Sequence, residues 1–538
     1  MQPASAAPPP GVMGVRWLAA PAAAFAIAVF VAAPWLEQRL AWSAWVGVAA
    51  ALLLAGRARG WWGEFWTIAG ATAAIAAAFH WTPKVLAFAL DAPDWVGLSV
   101  AAPIVLWDAL RLAAPILFVA RLRTDPLAAW MPAGLLAVVL EATMPAVFPW
   151  KLGYSQIAWP WLVQAVDLFG PEFSTLVLYA HAGLLVWAVH LLAASGSGSL
   201  LAAAARPPRA VVAAAALAAA NLAYGAWAVG HWSAAAAAAP RIDVALVQAN
   251  PEEDGGVDSL REQTEAGDTD PAGAPALVCW PECSGGCYDE RLDSLADPDR
   301  VLEWSRAPNA GMRPLDEPAS PILFGGKFYR GHPDKPQALY QSGILVDPTH
   351  AIVGRYHKRH LMPFGEYVPG EDWYPDIKRY FPMQDEFTAG TEPTVLPVGD
   401  QARLGVMMCY EDMISGAARS LAASGANLLV SLINGAAFTE PLTLRQHRLL
   451  AQLRAVETRR CLLRCAATGE TCVVSPAGIV TAAVPLHARE TLRADIPLLE
   501  SRTLYSRTGR ILPWACGLGL ALIARRRRAA AAAGITAR

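Results

Sequence analysis

Three apolar segments of the sequence are followed by side chains that could carry out covalent catalysis. Glu282 comes shortly after the run 276–280, Lys358 lies in a loop rich in proline and glycine, and Cys409 follows the run 404–408. Burial beside a strand would raise the pKa of the glutamate and suit it to accept a proton near neutral pH. A tight turn after the third run would expose the cysteine sulfur, so these residues are candidates for a nucleophilic mechanism.

Each of these residues also has an ordinary structural explanation. A glutamate after a strand is most often solvated, a lysine in a loop is most often surface, and a cysteine that closes an apolar strand is most often inert core. The order of glutamate, lysine and cysteine is more specific than any one of them, and their neighbours add to it. A second acid, Glu366, lies in the lysine loop, and Tyr410 and Glu411 directly follow the cysteine.

The segments that must position these residues show two periodicities. Short apolar runs rich in β-branched residues are typical of buried strands. They lie at 244–248, 276–280, 322–327, 342–346, 404–408, 428–432 and 472–475. Between residues 442 and 460, leucines and alanines recur every three or four positions, which predicts a helix. Strands covered by helices predict a layered α/β domain.

Charged residues divide the 538-residue chain into two parts. Only 20 of its 88 Asp, Glu, Lys and Arg residues precede residue 241, whereas 17 of its 21 tryptophans do, many at the ends of apolar runs. That pattern is typical of membrane helices with aromatic residues at the interface. The remainder has the composition of a soluble globular domain. A formal net charge of −2 argues against a nucleic-acid partner bound through bulk positive charge.

Apolar runs long enough to cross a bilayer account for the first part. An α-helix needs about 17–25 such residues to span the hydrocarbon core. Seven candidate runs lie near 17–35, 41–56, 66–82, 95–120, 126–148, 173–195 and 210–231, and a shorter eighth lies at Ile511–Ala524. We therefore predict a membrane bundle at residues 1–240, a catalytic domain at 241–505, and a C-terminal membrane helix with a basic tail at 506–538.

The distribution of arginines predicts the orientation of this bundle. Four of them, Arg525–Arg528, directly follow the eighth run. If the seven earlier runs all cross, further arginines fall on the same side, namely Arg16, Arg57, Arg59, Arg121, Arg123, Arg206 and Arg209. Because short basic loops stay in the cytoplasm, the catalytic domain is expected outside it.

The order of Glu, Lys and Cys, with the neighbours given above, resembles the nitrilase, or carbon-nitrogen hydrolase, superfamily over about residues 244–496. With the predicted membrane runs added, the chain resembles the apolipoprotein N-acyltransferase family within it. The loop 358–369, with Pro363-Phe364-Gly365-Glu366 inside it, is the most diagnostic match to that family. This resemblance implies a nitrilase-like αββα sandwich inserted between seven N-terminal transmembrane helices and one C-terminal helix.

The same resemblance implies a role for each site residue. A general base, an oxyanion-stabilising cation and a nucleophile would be, in that order, Glu282, Lys358 and Cys409. Supporting residues would be Glu366, Tyr410 and Glu411. Neither a cofactor nor a metal is expected.

The resemblance further implies transfer of an acyl chain from a membrane phospholipid to the N-terminal amine of a diacylglyceryl-cysteine apolipoprotein, through a thioester on Cys409. The expected partners are these two lipids and the bilayer. We expect a monomeric, multi-pass protein of the bacterial inner membrane with its catalytic domain in the periplasm. The alternatives are a membrane-anchored amidase of the nitrilase type, which hydrolyses a C–N bond, and a nonenzymatic lipid-binding relative.

Several positions beside the motifs depart from the family pattern. The family's Asn-Asp-Ala-Trp-Phe-Gly run is replaced by the segment 434–439, which reads Asn-Gly-Ala-Ala-Phe-Thr and lacks the Asp and the Trp. Gln341 replaces the usual Asn, and Cys283 replaces the Ser after the catalytic glutamate. Such changes fit either a divergent member or a relative with changed specificity.

Other cysteines lie near the motifs, at 279, 283, 287, 461 and 465. Their spacing lacks a matching set of histidines for zinc. In an oxidising compartment a disulfide among them is expected, with partners that the spacing leaves open.

Overall fold

The computed structural model describes residues 10–55, 60–195, 204, 206–250, 257–268, 273–289, 318–332, 335–379, 381, 385–435, 438 and 440–532. The N-terminal part of the chain is helical, and two β-sheets follow it. Arg57 and Arg59 of the orientation argument lie outside the described residues, as do positions 436, 437 and 439 of the Asn434 segment.

Helices occupy every predicted membrane run. Those before residue 240 are α1 (Pro10–Leu36), α2 (Ser43–Ala55), α3 (Trp61–Ala78), α4 (Thr82–Ala89), α5 (Asp94–Arg121), α6 (Pro126–Thr143), α7 (Pro160–Val163), α8 (Val166–Phe169), α9 (Phe173–Ser195) and α10 (Arg209–Ala238). The helices of the C-terminal half are α11 (Val257–Asp268), α12 (Ser415–Ala423), α13 (Pro441–Thr458), α14 (Leu504–Thr508) and α15 (Leu512–Ala532). Helix α15 contains the eighth run from its second residue, Leu512, onward and packs against α6.

Five of the described helices, α1, α5, α6, α9 and α10, are long and apolar enough to cross a membrane. Helix α2 is apolar but shorter. Helices suit this environment because they satisfy their backbone hydrogen bonds internally. The chain is therefore a membrane-integral protein. The number of crossings, the three-part division of the chain and its orientation stay predictions.

Two β-sheets, of seven and six strands, form the α/β half. The strands are β1 (Arg241–Gln248), β2 (Leu277–Cys279), β3 (Cys287–Asp289), β4 (Ile322–His332), β5 (Lys335–Val346), β6 (Ile352–His357), β7 (Val395–Val398), β8 (Ala402–Met408), β9 (Leu428–Ile433), β10 (Leu462–Ala466), β11 (Cys472–Val474), β12 (Val480–Ala483) and β13 (Glu490–Pro497). The first sheet has the order β13-β1-β2-β4-β5-β6, with β3 beside β4, and the second has the order β12-β11-β10-β9-β8-β7.

These sheets lie between helices in an αββα arrangement. Side chains such as Leu246 and Leu323 of the first sheet and Val406 and Val430 of the second share one buried apolar core. Helix α11 packs on β1 and β13 at one outer face, while α12 and α13 pack on the second sheet at the other. Both sheets are therefore covered on both sides, as their nearly continuous apolar runs require. This confirms the predicted fold class.

Helix α13 joins the α/β half to the helical half through buried polar contacts. The Gln446 side chain donates to the carbonyl oxygens of Trp35 and Ala78, at 2.8 and 2.9 Å. At the end of the helix, an Arg459 guanidinium nitrogen lies 2.7 Å from the carboxylate of Asp167 in α8. Because unpaired buried polar groups are costly, these contacts fix how the two halves sit against each other.

Each strand and helix expected in the α/β half is present, and so are strands β3, β6, β7, β10, β12 and β13, which the apolar runs did not reveal. The expected disulfide is wrong for the cysteines whose side chains the structure describes, since Cys279, Cys283, Cys461 and Cys465 are all free thiols. Cys465 instead donates to the backbone oxygen of Cys279, at 3.1 Å. It thus contributes to packing between the two sheets.

Candidate active site

The ends of strands from both sheets converge at one site. Lys358 directly follows β6, and its backbone N–H donates to the carbonyl oxygen of Gln341 in β5 at 2.8 Å. Glu282 comes three residues after β2, and Asn434 directly follows β9. Cys409 directly follows β8 and begins a short 3-10 helix. Residues from distant parts of the sequence are thereby brought to one edge of the sandwich.

Two carboxylates hold the Lys358 ammonium. The Nζ atom of Lys358 donates to Glu366 Oε1 at 2.7 Å and to Glu282 Oε1 at 3.4 Å. The other oxygen of Glu282 accepts from the backbone N–H of Asn434 at 3.3 Å. The other oxygen of Glu366 accepts from the backbone N–H of Met362 at 2.8 Å. All four carboxylate oxygens therefore have a donor, which fixes the direction in which each group points.

The surroundings raise the pKa values of both groups, that of Glu282 through burial and that of Lys358 through the nearby carboxylates. Burial raises the pKa of Glu282 above its usual range, although Lys358 acts against this. Burial would lower the pKa of Lys358, but the carboxylates of Glu282 and Glu366 outweigh it and hold that pKa well above the usual value. At neutral pH the site thus contains a permanent cation beside a carboxylate of raised basicity, as a general base requires.

Cys409 presents its sulfur from a strained turn. Its φ of +45° is in the left-handed region, which costs a side-chain-bearing residue energy and is common at functional sites. The residue is half-buried. Burial, and next the charge of Glu282, raise the pKa of the Cys409 thiol well above its usual value, while Lys358 opposes the shift. The resting sulfur is therefore protonated, and a base must remove its proton before it can attack.

Glu411 braces the loop that carries Lys358. Its Oε1 accepts from the Tyr356 hydroxyl and from the backbone N–H groups of Arg359 and His360, at 2.8, 2.8 and 3.0 Å. Its Oε2 accepts from the backbone N–H of Met408 at 2.9 Å. One carboxylate thus connects the residues after β6 with the end of β8, so that the cation and the cysteine keep a fixed separation.

Tyr410 and Asp412 anchor the turn on either side. The Tyr410 hydroxyl donates to the backbone oxygen of Val147, in the helical half, at 2.6 Å. Asp412 is fully buried and accepts from His447 Nε2 at 2.7 Å and from Arg464 Nε at 3.0 Å. The sequence analysis missed this second cluster. The acidic residue three positions after the cysteine was visible, but its partners lie 35 and 52 positions further on.

A cavity of about 890 Å³ contains the site. Glu282, Lys358, Glu366 and Cys409 line it, together with Gln341 and Cys283. Its other wall comes from helix α4, the turn after it and the start of α5, as shown by the lining residues Lys84, Phe88, Asp91 and Asp94. The helical half therefore contributes directly to the site. Within the described residues, no group of three or more His, Cys, Asp or Glu side chains is arranged to hold a metal ion.

Residues 243–504 match the carbon-nitrogen hydrolase family. The structure of Nit3 from Saccharomyces cerevisiae, a member of branch 10 of the nitrilase superfamily, covers 50% of this chain and 94% of its own, with 19% identity and a TM-score of 0.35. The family match over residues 243–504 identifies the α/β half as a carbon-nitrogen hydrolase domain, and its two sheets packed between helices form the αββα sandwich.

Relatives that extend beyond this domain are named apolipoprotein N-acyltransferase. The one from Geobacter metallireducens is 28% identical over 84% of this chain and 84% of its own. The one from Azotobacter vinelandii is 30% identical over 67% of this chain and 65% of its own. The chain is a divergent member of the apolipoprotein N-acyltransferase family and is an acyltransferase.

Proposed function

We propose that this protein transfers an acyl chain from a membrane phospholipid to the N-terminal amine of a diacylglyceryl-cysteine apolipoprotein. The observation that carries the proposal is the placement of Cys409 in one cavity with the Lys358 ammonium and its two carboxylates, walled by the helical half. A thiol, a base and a fixed cation are the groups that acyl transfer through a thioester needs.

In the first half-reaction, Glu282 takes the thiol proton while the sulfur of Cys409 attacks the acyl ester carbonyl. The ammonium of Lys358 stabilises the oxyanion that forms, and such a donor typically lowers the barrier by about 3 kcal/mol. The intermediate collapses with cleavage of the C–O bond. The departing oxygen takes the proton back from Glu282, so a lysophospholipid leaves and a thioester remains.

In the second half-reaction, the amine attacks the thioester carbonyl. Glu282 accepts a proton from the nitrogen, the C–S bond breaks, and that proton passes to the sulfur. The product is an amide, and the thiol of Cys409 is restored. The raised pKa of Glu282 suits it to both directions of proton transfer.

The helical half makes lipids reasonable substrates for this site. Residues 1–240 and 506–538 would hold the domain 241–505 at the periplasmic face of the inner membrane. Phospholipid and acceptor are retained in the bilayer, since each buried CH₂ group contributes about 0.8 kcal/mol. Both can then reach a membrane-bound monomer by lateral diffusion, and restriction of water in the cavity would protect the thioester.

Mass spectrometry of the full-length protein tests this proposal. With phospholipid carrying an isotopically labelled acyl chain and a synthetic diacylglyceryl lipopeptide, we expect one labelled chain in amide linkage on the peptide. With phospholipid alone, we expect the labelled chain on Cys409. Both signals should vanish in Cys409→Ala and persist in Cys516→Ala, whose cysteine lies in α15. Hydrolysis of an amide substrate without acyl transfer would instead establish the amidase alternative.

A further inference from the structure

Gln341 is a buried amide in the wall of the catalytic cavity. Its side chain lies on β5 opposite Lys327, is 3% exposed, and lines the cavity that contains Cys409. The Nε2 group donates to the sulfur of Cys283 at 3.2 Å. Its Oε1 atom is buried and has no hydrogen-bond partner among the described residues. A buried acceptor without a donor is uncommon and points to a ligand that supplies one.

The contacts of Gln341 hold its amide in place beside the reacting groups. Its backbone oxygen accepts from the N–H of Lys358, and its side chain is bound to the residue that follows Glu282. The amide carbonyl is therefore fixed in orientation before any substrate binds.

The second half-reaction brings a hydrogen-bond donor that the first does not. A primary amine that attacks a thioester carries two N–H hydrogens. One goes to Glu282, and the other stays on nitrogen and becomes the amide N–H of the product. In a cavity that excludes water, this second N–H needs an acceptor. Each oxygen of Glu282 and Glu366 already has one donor, whereas Gln341 Oε1 has none among the described residues, so it is the acceptor whose capacity is wholly unused.

We propose that Gln341 is a specificity residue for the acyl acceptor, whose Oε1 atom binds the N–H that remains on the attacking primary amine. The inference rests on the function proposed above. The phospholipid ester offers no N–H at its reacting carbonyl, so Gln341 has no such partner during formation of the thioester. Loss of its side chain should therefore slow the second half-reaction selectively and weaken discrimination between primary and secondary amines.

The two half-reactions can be measured separately on the full-length protein. Labelled phospholipid alone gives the rate of thioester formation on Cys409. Addition of the lipopeptide then gives the rate of aminolysis. In Gln341→Leu we expect thioester formation within about twofold of the wild type and aminolysis slower by roughly 5- to 150-fold, the range for a lost buried hydrogen bond. Gln337→Leu is the matched control, since Gln337 lies exposed on the same strand and should affect neither rate.

An acceptor lipopeptide methylated at its terminal nitrogen sharpens the test. After Glu282 removes its one proton, no N–H remains for Gln341. The wild type should therefore prefer the primary amine, and Gln341→Leu should lose that preference by the same factor as it loses aminolysis rate. Gln341→Met, which keeps the length of the side chain, replaces the leucine variant if that does not accumulate.

The results separate this inference from the function on which it rests. Absence of a thioester in the wild type would overturn the proposed function itself. Normal thioester formation with unchanged aminolysis and unchanged amine preference in Gln341→Leu would overturn only the role of Gln341. Equal slowing of both half-reactions would also overturn it, because Gln341 would then act by positioning Lys358 or Glu282 in both steps.

Discussion

The carboxylate of Glu366 lies 2.7 Å from the ammonium nitrogen of Lys358. This distance is shorter than the one from Lys358 to the proposed base, Glu282, at 3.4 Å. The closer carboxylate therefore makes the shorter charge-assisted hydrogen bond to the cation. The proposed base makes the longer one.

We expect Glu366→Gln to slow thioester formation by roughly 10- to 150-fold. A hydrogen bond to a charged group contributes about 1.5–3 kcal/mol, and the neutral amide would hold Lys358 less firmly where the oxyanion forms. The amide oxygen could still accept from the N–H of Met362, so the loop should keep its shape. Single-turnover kinetics with labelled phospholipid give the rate, and a rate equal to that of the wild type would exclude this role for Glu366.

The pH dependence of thioester formation should reveal the raised pKa of Glu282. Glu282 can act as the proposed base only when it is ionised, so the rate of thioester formation should fall as pH decreases through the Glu282 pKa. Because burial raises this pKa, the fall in rate on the acidic side of the profile (the acidic limb) should occur at a higher pH than the pKa of an ordinary glutamate would give. Lys358, with its pKa held well above normal, should contribute no alkaline limb near neutral pH.

Glu282→Gln should lose this acidic limb along with about 10²- to 10⁴-fold in rate, the usual contribution of a general base. The rate is measured across the same pH series as for the wild type. An acidic limb that survives in the glutamine variant would assign the titration to another group.

Removal of Arg464 should destabilise the protein strongly. Burial alone would raise the pKa of the Asp412 carboxyl. The paired side chains of His447 and Arg464 outweigh that effect and lower this pKa to about 2. In Arg464→Met this carboxylate loses one partner in a dry environment, and such a loss costs about 3–5 kcal/mol. Thermal unfolding in detergent measures the effect, with Arg379→Met at an exposed ion pair as the control.

The same carboxyl predicts how stability responds to acid. A depressed pKa in the folded state contributes stability that is present above the unfolded value of 3.8 and is lost as pH falls through about 2. Unfolding free energies measured between these limits should fall more in the wild type than in Asp412→Asn. Parallel curves for the two proteins would contradict the depressed pKa.

The orientation of the α/β half can be tested by chemical labelling. Asp376 and Arg528 are exposed, the first near the active-site loop and the second at the predicted cytoplasmic end of α15. In cells with a permeabilised outer membrane, and with Cys283, Cys287 and Cys409 replaced by serine so that they do not react, a maleimide that cannot cross the inner membrane should label Asp376→Cys and not Arg528→Cys. Labelling in the reverse pattern would place the catalytic domain in the cytoplasm.

The sequence predicted which residues come together at the candidate site better than it predicted the residues that support them. Glu282, Lys358 and Cys409 were identifiable because each follows a strand signal and has distinctive neighbours. The partners of Asp412 were not, since they come from a helix and a strand that only tertiary packing brings together. The contacts of α13 with the helical half could not be predicted for the same reason. A glutamine or arginine in a helical pattern does not indicate which residues of another element it will contact once it is buried.

The first and last strands of the α/β half lie side by side, with Arg241 opposite Pro497. The polypeptide therefore enters and leaves this half at a single point, and its two ends need no extra length to meet. Insertion of such a unit leaves the helices on either side undisturbed. An architecture of this kind is accessible to evolution through one recombination event, in which a gene for a free-standing hydrolase enters the reading frame of a membrane protein between two of its helices.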